Sequence, residues 1–413
     1  MVVRDLTPLR ERFPALSRTQ EGSTCIFADA PGGTQVPQEV IDAMTHYLST
    51  SNANDHGAFA TSRETEEVVE DAHRAAADFL GAEPDECAFG ANATTLMFAL
   101  SRAVARDLGP GDEIVVTVLD HDANVAPWLA VAEDTGATVR WVDIDTDDWD
   151  LDLASLDSAL TGRTKVVAFT LGSNAIGSIT PAPAIARRAR DTGALVVCDA
   201  VHVAQHRSMD VAAIGADVTV FSPYKVFGPH MGVMHGRREV LERLRPYKVR
   251  PASDEIPGSW ETGTPNHEAM AGWSAAVGYL ASAGREFGSP SDSSRRSAVV
   301  AAMKAFREHE SMLSNRFLEG LSAIPKARLY GKPLPVDRTP TFAVTIDGKH
   351  PREVAELLGD RGIFVWDGHY YAVSVMERLG LLDRGGAVRI GFCHYHTPGE
   401  VDRVLQALED VSA

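Results

Sequence analysis

The sequence predicts an α/β fold: a large domain built on a mostly parallel sheet, followed by a smaller α+β domain. Three observations carry this expectation. Short apolar runs recur at Val115–Leu119, Val139–Ile144, Val166–Leu171, Leu195–Cys198 and Val218–Phe221. They are continuous rather than alternating, as strands of a sheet covered on both faces must be. Amphipathic segments separate them, at Pro181–Thr192 and after Ala123 and Leu151, and read as the crossover helices. The composition then shifts between Gly284 and Ser297, where GREFGSPSDSSRRS reads as a polar boundary.

Past that boundary the expected elements are a helix over Ala298–Leu321, strands near Thr341–Ile346 and Ile363–Trp366, and a final helix from Pro398. The chain is expected to divide into an N-terminal segment (1–20) packing with the small domain, a large domain (21–285) and a small domain (286–413). Its 413 residues suffice for two domains and a large core. Apolar residues make up 44% and charged ones 23%, an ordinary balance for a globular protein. The net charge of −18 argues against nucleic acid or an anionic membrane as a partner, since both demand basic surface. No apolar run approaches the length of a membrane span, and MVVRDLTPLRERFPAL at the start holds no secretory apolar core. Cys25, Cys87, Cys198 and Cys393 are scattered without CxxC spacing, which fits free thiols in a cytoplasmic protein better than disulfides or a zinc site.

The candidate chemistry lies at strand ends. Leu195–Cys198 runs into Asp199, and Val218–Phe221 runs into Ser222-Pro223-Tyr224-Lys225. Ligands of α/β sheets sit outside the carboxyl ends of the strands, so a carboxylate and an amine are expected to face one crevice. Each alone is weak, because a strand-end Lys is more often solvated and a strand-end Asp is a common cap. Together they meet the demands of pyridoxal 5′-phosphate (PLP), which needs an amine to condense with its aldehyde and a carboxylate to keep its pyridine nitrogen protonated. A Lys desolvated among apolar neighbours also has a lowered pKa and can act as nucleophile and base.

Other residues fit the same crevice. The stretch FGANATTLMFAL reads as a small-residue loop opening a helix, where Ala93 and Thr94 would offer a backbone N–H and a hydroxyl to a phosphate. Thr94 alone could be no more than an N-cap. Ser222 supplies a further hydroxyl. His121, after the Val115–Leu119 run, can stack on a pyridine ring and shuttle protons as a catalytic residue, though a histidine in a polar loop is ordinarily a surface residue. His202, three residues past Asp199, and Asn174, past Val166–Leu171, are expected to face the same ligand. Arg389 sits in the apolar run AVRIGF and needs a partner, either a protein carboxylate or a substrate carboxylate held by its fork. His394 and His396 have a spacing that can hold metal on a strand, but nothing else marks a metal site.

Taken in order, these motifs resemble the class V aminotransferase group of fold-type I PLP enzymes, and within it the cysteine desulfurase and selenocysteine lyase branch. The likeness runs from Phe27 to Leu408. It implies that Asp199 pairs the pyridinium, with His202 in place of the usual Gln near the cofactor's phenolic oxygen. It implies Lys225 as the cofactor-linked lysine, Ser222 and Thr94 on the phosphate, and Tyr224 in place of the usual preceding His. DHDANVAPW, around His121, is similar to the EHHANIVPW-like stretch whose His stacks on the ring. Asn174 matches an Asn that reads substrate or cofactor, and Arg389 matches the carboxylate-binding Arg. Glu261–Asn266, ETGTPN, looks like the EAGTPN turn, whose Thr (here Thr264) reaches the phosphate of the other subunit and so implies a homodimer.

One departure bears on the reaction. The desulfurases carry their sulfur-accepting Cys in a loop reading like RTGHHC. Here the aligned stretch is Trp366-Asp367-Gly368-His369-Tyr370-Tyr371, with Tyr371 at the Cys position. A phenol cannot accept sulfur as a persulfide. The expected function is therefore β-elimination from an S-substituted cysteine, a C–S lyase reaction. Lys225 takes the Cα proton, Arg389 and Asn174 hold the carboxylate, and Tyr371 or His369 protonates the leaving sulfur. Aminotransfer, epimerisation and decarboxylation-linked deamination use the same lysine and stay open as alternatives. Retention of Lys225, Asp199, His121 and Arg389 together argues against a non-catalytic scaffold.

Overall fold

The computed structural model describes residues 4–413 and contains a seven-stranded sheet in the order Cys87–Gly90, Gly232–Gly236, Val218–Phe221, Leu195–Asp199, Thr164–Thr170, Glu113–Thr117, Thr138–Val142. Every neighbouring pair is parallel except those made by Gly232–Gly236, which runs antiparallel to both its neighbours. The chain has the α/β class read from its continuous apolar runs. Alternate residues of these strands enter two separate cores, as the pleat requires. Val115, Val167, Val196, Cys198 and Phe221 face one core, covered by helices Ala60–Leu80, Ala182–Asp191 and His267–Phe287. Ile114, Val116, Val166, Val197, Val218 and Val220 face the other, under Ala93–Ala105 and Ala126–Thr135.

Several boundaries shift from the sequence expectation for local reasons. The run expected over Val115–Leu119 forms Glu113–Thr117 and stops there, because the Thr117 hydroxyl bonds Asp120 and accepts the Leu119 N–H at 3.2 Å. The run expected to reach Ile144 ends at Val142, where the Asp143 carboxylate accepts the Ile144 N–H at 2.8 Å. Gly232–Gly236, not anticipated, depends on a missing side chain: a Cβ on Gly232 would stand 2.5 Å from the Asn92 carbonyl carbon. That close approach sets the strand against the loop that opens helix Ala93–Ala105.

The second sheet is antiparallel, in the order Ala327–Tyr330, Thr341–Ile346, Ala387–Gly391, Trp366–Gly368. The strand expected over Ile363–Trp366 is displaced. Ile363 instead bridges Ile26, with the Ile26 N–H on the Gly362 carbonyl at 2.8 Å, and the sheet strand begins at Trp366. Ile26 and Ala28 thereby join the core of this second sheet.

The polar stretch Gly284–Ser297 is only partly a linker. Helix His267–Phe287 runs through Gly284, and the next helix, Arg295–Ser322, starts before the stretch ends, capped by Ser294 on the Ser297 N–H. Arg295–Ser322 has 28 residues, about 42 Å of helix. Its first half (Val299, Met303, Phe306) lies in the large core, and its second half (Leu313, Phe317, Leu321) lies in the core of the small sheet. The N-terminal turns also touch both regions. Phe13 packs its ring on Phe227, Tyr279 and Tyr395, while Arg10 pairs with Glu400 at 2.8 Å. No helix among the described residues is long and apolar enough to cross a membrane.

Gly284 lets the two long helices touch, since a Cβ there would lie 1.8 Å from the Ala298 carbonyl oxygen. Gly284→Ala should therefore destabilise the protein by about 1–3 kcal/mol, despite the better helix propensity of Ala. The midpoint of urea unfolding measures this, and an unchanged or raised midpoint would refute it.

Candidate active site

The parallel pairing of Leu195–Asp199 with Val218–Phe221 brings two strand ends side by side, with Asp199 opposite Val220. Pro223 opens a tight turn, Pro223–Lys225, that carries Lys225 back over the sheet end. Both ionisable groups are buried, Asp199 at 5% and Lys225 at 8% exposure. Burial pushes the Asp199 carboxyl up to about 6, opposed by the Val201 N–H it accepts and by the Lys225 charge. Burial pushes the Lys225 ammonium down to about 7, helped by Arg389 and opposed by Asp199. The Lys225 Nζ donates to the Pro31 carbonyl.

Around this pair a single cavity is lined by Ala93, Thr94, His121, Asn174, Asp199, His202, Ser222, Tyr224 and Lys225. The expectations from sequence thus meet in space although they span more than a hundred residues. Asn92 caps helix Ala93–Ala105 by accepting the Thr95 N–H at 2.8 Å, and the Ala93 N–H reaches the Ser222 hydroxyl at 3.2 Å. One end of the cavity therefore has two hydroxyls, Ser222 and Thr94, at the positive end of a helix.

His121 accepts the Ala123 N–H on Nδ1 at 3.0 Å, which leaves its proton on Nε2. Burial, then the Lys225 and Arg389 charges, holds its pKa down at about 3. The ring is neutral and suited to stacking. His202 has its Nε2 on the Thr339 and Thr341 hydroxyls at 2.9 and 3.2 Å, while its buried Nδ1 has no partner. Burial and the nearby His206, Lys225 and Arg389 charges keep it well below the ordinary imidazole range.

Arg389 is 4% exposed. Among the described residues its guanidinium makes no ion pair and one hydrogen bond, Nη1 to the Asn174 carbonyl at 3.0 Å. Its Nε is buried without a partner. Burial lowers its pKa to about 10. Asp29 is near enough to feel its charge, yet burial pushes that carboxyl up to about 6 and leaves Oδ1 unpartnered. Of the two partners the sequence allows, a protein carboxylate is not in place.

Of the other residues, Tyr371, His369, Thr264, His394 and His396 lie outside the cavity lining. Tyr371 is 67% exposed at the mouth, its ring 5.5 Å from that of His121 and inclined by 24°. His369 is exposed beside it, with its Nδ1 accepting the Tyr371 N–H at 3.1 Å. Thr264 is exposed in a different cavity, bordered by Gly90, Ala91 and Thr95. Its turn is held by Glu261, which accepts from His73 at 2.9 Å and from the Phe89 N–H at 2.8 Å. Tyr224 stacks on His230 at 4.8 Å and 6°. His394 bonds the Tyr279 hydroxyl and stacks on Phe306, whereas His396 reaches the Phe27 carbonyl at 3.1 Å. The two histidines point to different protein partners and not to a shared centre.

Sequence reasoning missed Asp120, whose carboxylate accepts the Asn124 amide at 2.7 Å and fixes the His121 turn. The four-residue Asp–Asn spacing was the available signal. It also missed the Pro31 carbonyl, Thr339 and Thr341, which only the tertiary structure brings near Lys225 and His202.

A cavity with a near-neutral lysine, a buried carboxylate, an unpartnered imidazole nitrogen and a hydroxyl-lined helix N-terminus fits a flat, phosphorylated pyridine. Comparison with known proteins agrees. The model of the class-V aminotransferase family matches residues 26–404. A probable cysteine desulfurase of Streptomyces coelicolor is 33% identical over 98% of this chain and 97% of its own length. An aminotransferase-like protein of Gibberella zeae is 32% identical over 98% and 97%. The apo cysteine desulfurase of Thermococcus onnurineus superposes with a TM-score of 0.87 at 26% identity, covering 100% of this chain and 99% of that one. The chain belongs to the class-V aminotransferase family and is a PLP-dependent enzyme of the fold-type I class.

Because burial depresses Lys225 to about 7, its amine is uncharged and nucleophilic in a growing fraction of molecules as pH rises through that value. The rate at which cofactor-free protein captures PLP, followed by visible absorbance, should rise with a midpoint near 7. A midpoint near ~10, the ordinary lysine value, would contradict it. Lys225→Ala should lack the visible band altogether.

Proposed function

We propose that this class-V aminotransferase family member cleaves the C–S bond of an S-substituted cysteine by β-elimination, releasing a thiol and, after hydrolysis, pyruvate and ammonia. One observation carries the reading: residues 366–371 contain no cysteine, and Cys25, Cys87, Cys198 and Cys393 are each 1% exposed or less. Burial also raises the Cys87, Cys198 and Cys393 thiols above their ordinary range. Sulfur transfer to the protein needs a reachable thiolate. A thioether sulfur needs none, because it leaves with a proton.

In this reading Lys225 would take the cofactor's aldehyde, Asp199 its pyridine nitrogen, and His202 its phenolic oxygen. Ser222, Thr94 and the Ala93 helix end would take its phosphate, His121 would lie on its ring, and Tyr224 would border it. When bound, the cofactor supplies an electron sink for the Cα carbanion. Arg389 offers its free Nε to the substrate carboxylate, with Asn174 alongside. Lys225, freed by the incoming amine, removes the Cα proton, a task for which a pKa of about 7 suits it. The C–S bond then breaks with its electron pair on sulfur, and Tyr371 or His369 supplies the proton. The exposed aromatic side chain at the mouth, Tyr371, favours a substrate larger than cysteine itself.

A second copy of the chain completes the site in this reading. Thr264 is exposed and away from its own chain's cavity, which suits a contact with the partner's phosphate. Thr264→Ala should leave a dimer by sedimentation yet weaken PLP binding by about tenfold, the loss of one charge-assisted hydrogen bond. A monomeric wild-type protein would refute this part.

Holoenzyme given S-methyl-L-cysteine should release methanethiol and pyruvate in equal amounts, and cysteine should leave no persulfide on the protein. Formation of a 2-keto acid from alanine without thiol release from any cysteine conjugate would overturn the reading in favour of aminotransfer.

A further inference from the structure

Tyr370 and Tyr371 both adopt left-handed backbone, with φ of 51° and 57°, a region that non-glycine residues rarely enter. Two such residues in succession require tertiary contacts to hold them. Tyr370 has these on every side. It is 9% exposed, and its hydroxyl donates to the Ala387 carbonyl, two residues before Arg389. Its ring lies under the guanidinium, 4.6 Å from the Arg389 Cζ. Its carbonyl accepts the Asn174 Nδ2 at 2.9 Å, and Asn174 in turn accepts Arg389 Nη1 on its own carbonyl. Three segments distant in sequence thus close a ring of contacts.

The contacts also determine what is left over. Arg389 keeps an unpartnered Nε, and Asn174 keeps an unpartnered Oδ1 and the second N–H of its amide. A planar cation over an aromatic face is restrained in orientation as well as held. We propose that Tyr370 is the positioning residue for recognition of the substrate's α-carboxylate, aligning Arg389 through its ring and Asn174 through its carbonyl. This rests on the reading above that Arg389 receives that carboxylate.

The test compares L-alanine with L-alaninamide, which lacks the carboxylate charge, by spectral titration of holoenzyme. Tyr370→Asn removes the ring but keeps a residue that tolerates left-handed backbone. It should weaken alanine binding by about tenfold while alaninamide changes by less than about twofold, because only a charge-assisted contact is lost. Turnover should show the same split, with KM raised and kcat little changed. Tyr370→Phe keeps the ring and should retain most of the discrimination. Equal weakening of both ligands, or of neither, would overturn the proposal. Arg389→Gln separates the two levels. If it abolishes the discrimination and Tyr370→Asn does not, Tyr370 is not the positioning residue. If it too leaves the discrimination intact, the carboxylate reading of Arg389 itself fails.

Discussion

The parallel register between Leu195–Asp199 and Val218–Phe221 is the constraint on which the rest of the site depends. It places a carboxylate and an ammonium at adjacent strand ends, both out of water. Desolvation then moves each group toward neutrality, to about 6 for Asp199 and about 7 for Lys225. A solvated pair at the same positions would make an ordinary surface ion pair with ordinary pKa values. Burial makes the lysine reactive near neutral pH, and the two cores on either face of the sheet provide that burial.

The same sheet positions the surrounding groups. Gly232 allows its strand to approach Asn92, which sets the helix end at Ala93 beside Ser222. Asp120 and Asn124 lock the turn that presents His121. Each of these is a backbone or capping device with no chemistry of its own. They shape the cavity without depending on the residues at its mouth.

Those mouth residues come from the second sheet, and the long helix Arg295–Ser322 ties that sheet to the first. Because one helix enters both cores, Arg389 and the 369–371 loop have a fixed relation to Lys225 rather than a loose one. The loop carries aromatic rings, and the four thiols of the chain are buried, three of them in the large core. Packing accounts for those buried cysteines.

Much of this was legible in the sequence. Continuous β-branched runs announce strands buried on both faces, and the residues that end them, Asp199 and Lys225, follow from that reading because ligands collect at strand ends. Ordered motifs added His121, His202, Ser222, Thr94, Asn174 and Arg389, nearly all of which meet in one cavity. Less legible were the features set by contacts between distant segments. The displacement of the strand expected at Ile363 depends on Ile26 arriving from the other end of the chain. Gly284 sits in a polar stretch and reads as linker, yet it lies inside a helix, and its missing Cβ leaves room for the neighbouring helix. The pairing of Tyr370 with Arg389 and Asn174 joins three segments with no common pattern. Local periodicity and strand-end chemistry are properties of short stretches, so the sequence by itself determined the α/β class and pointed to a candidate lysine and carboxylate at neighbouring strand ends. Burial, orientation and the unpartnered atoms of Arg389 and Asn174 arise only from long-range packing, and the tertiary structure alone decided them.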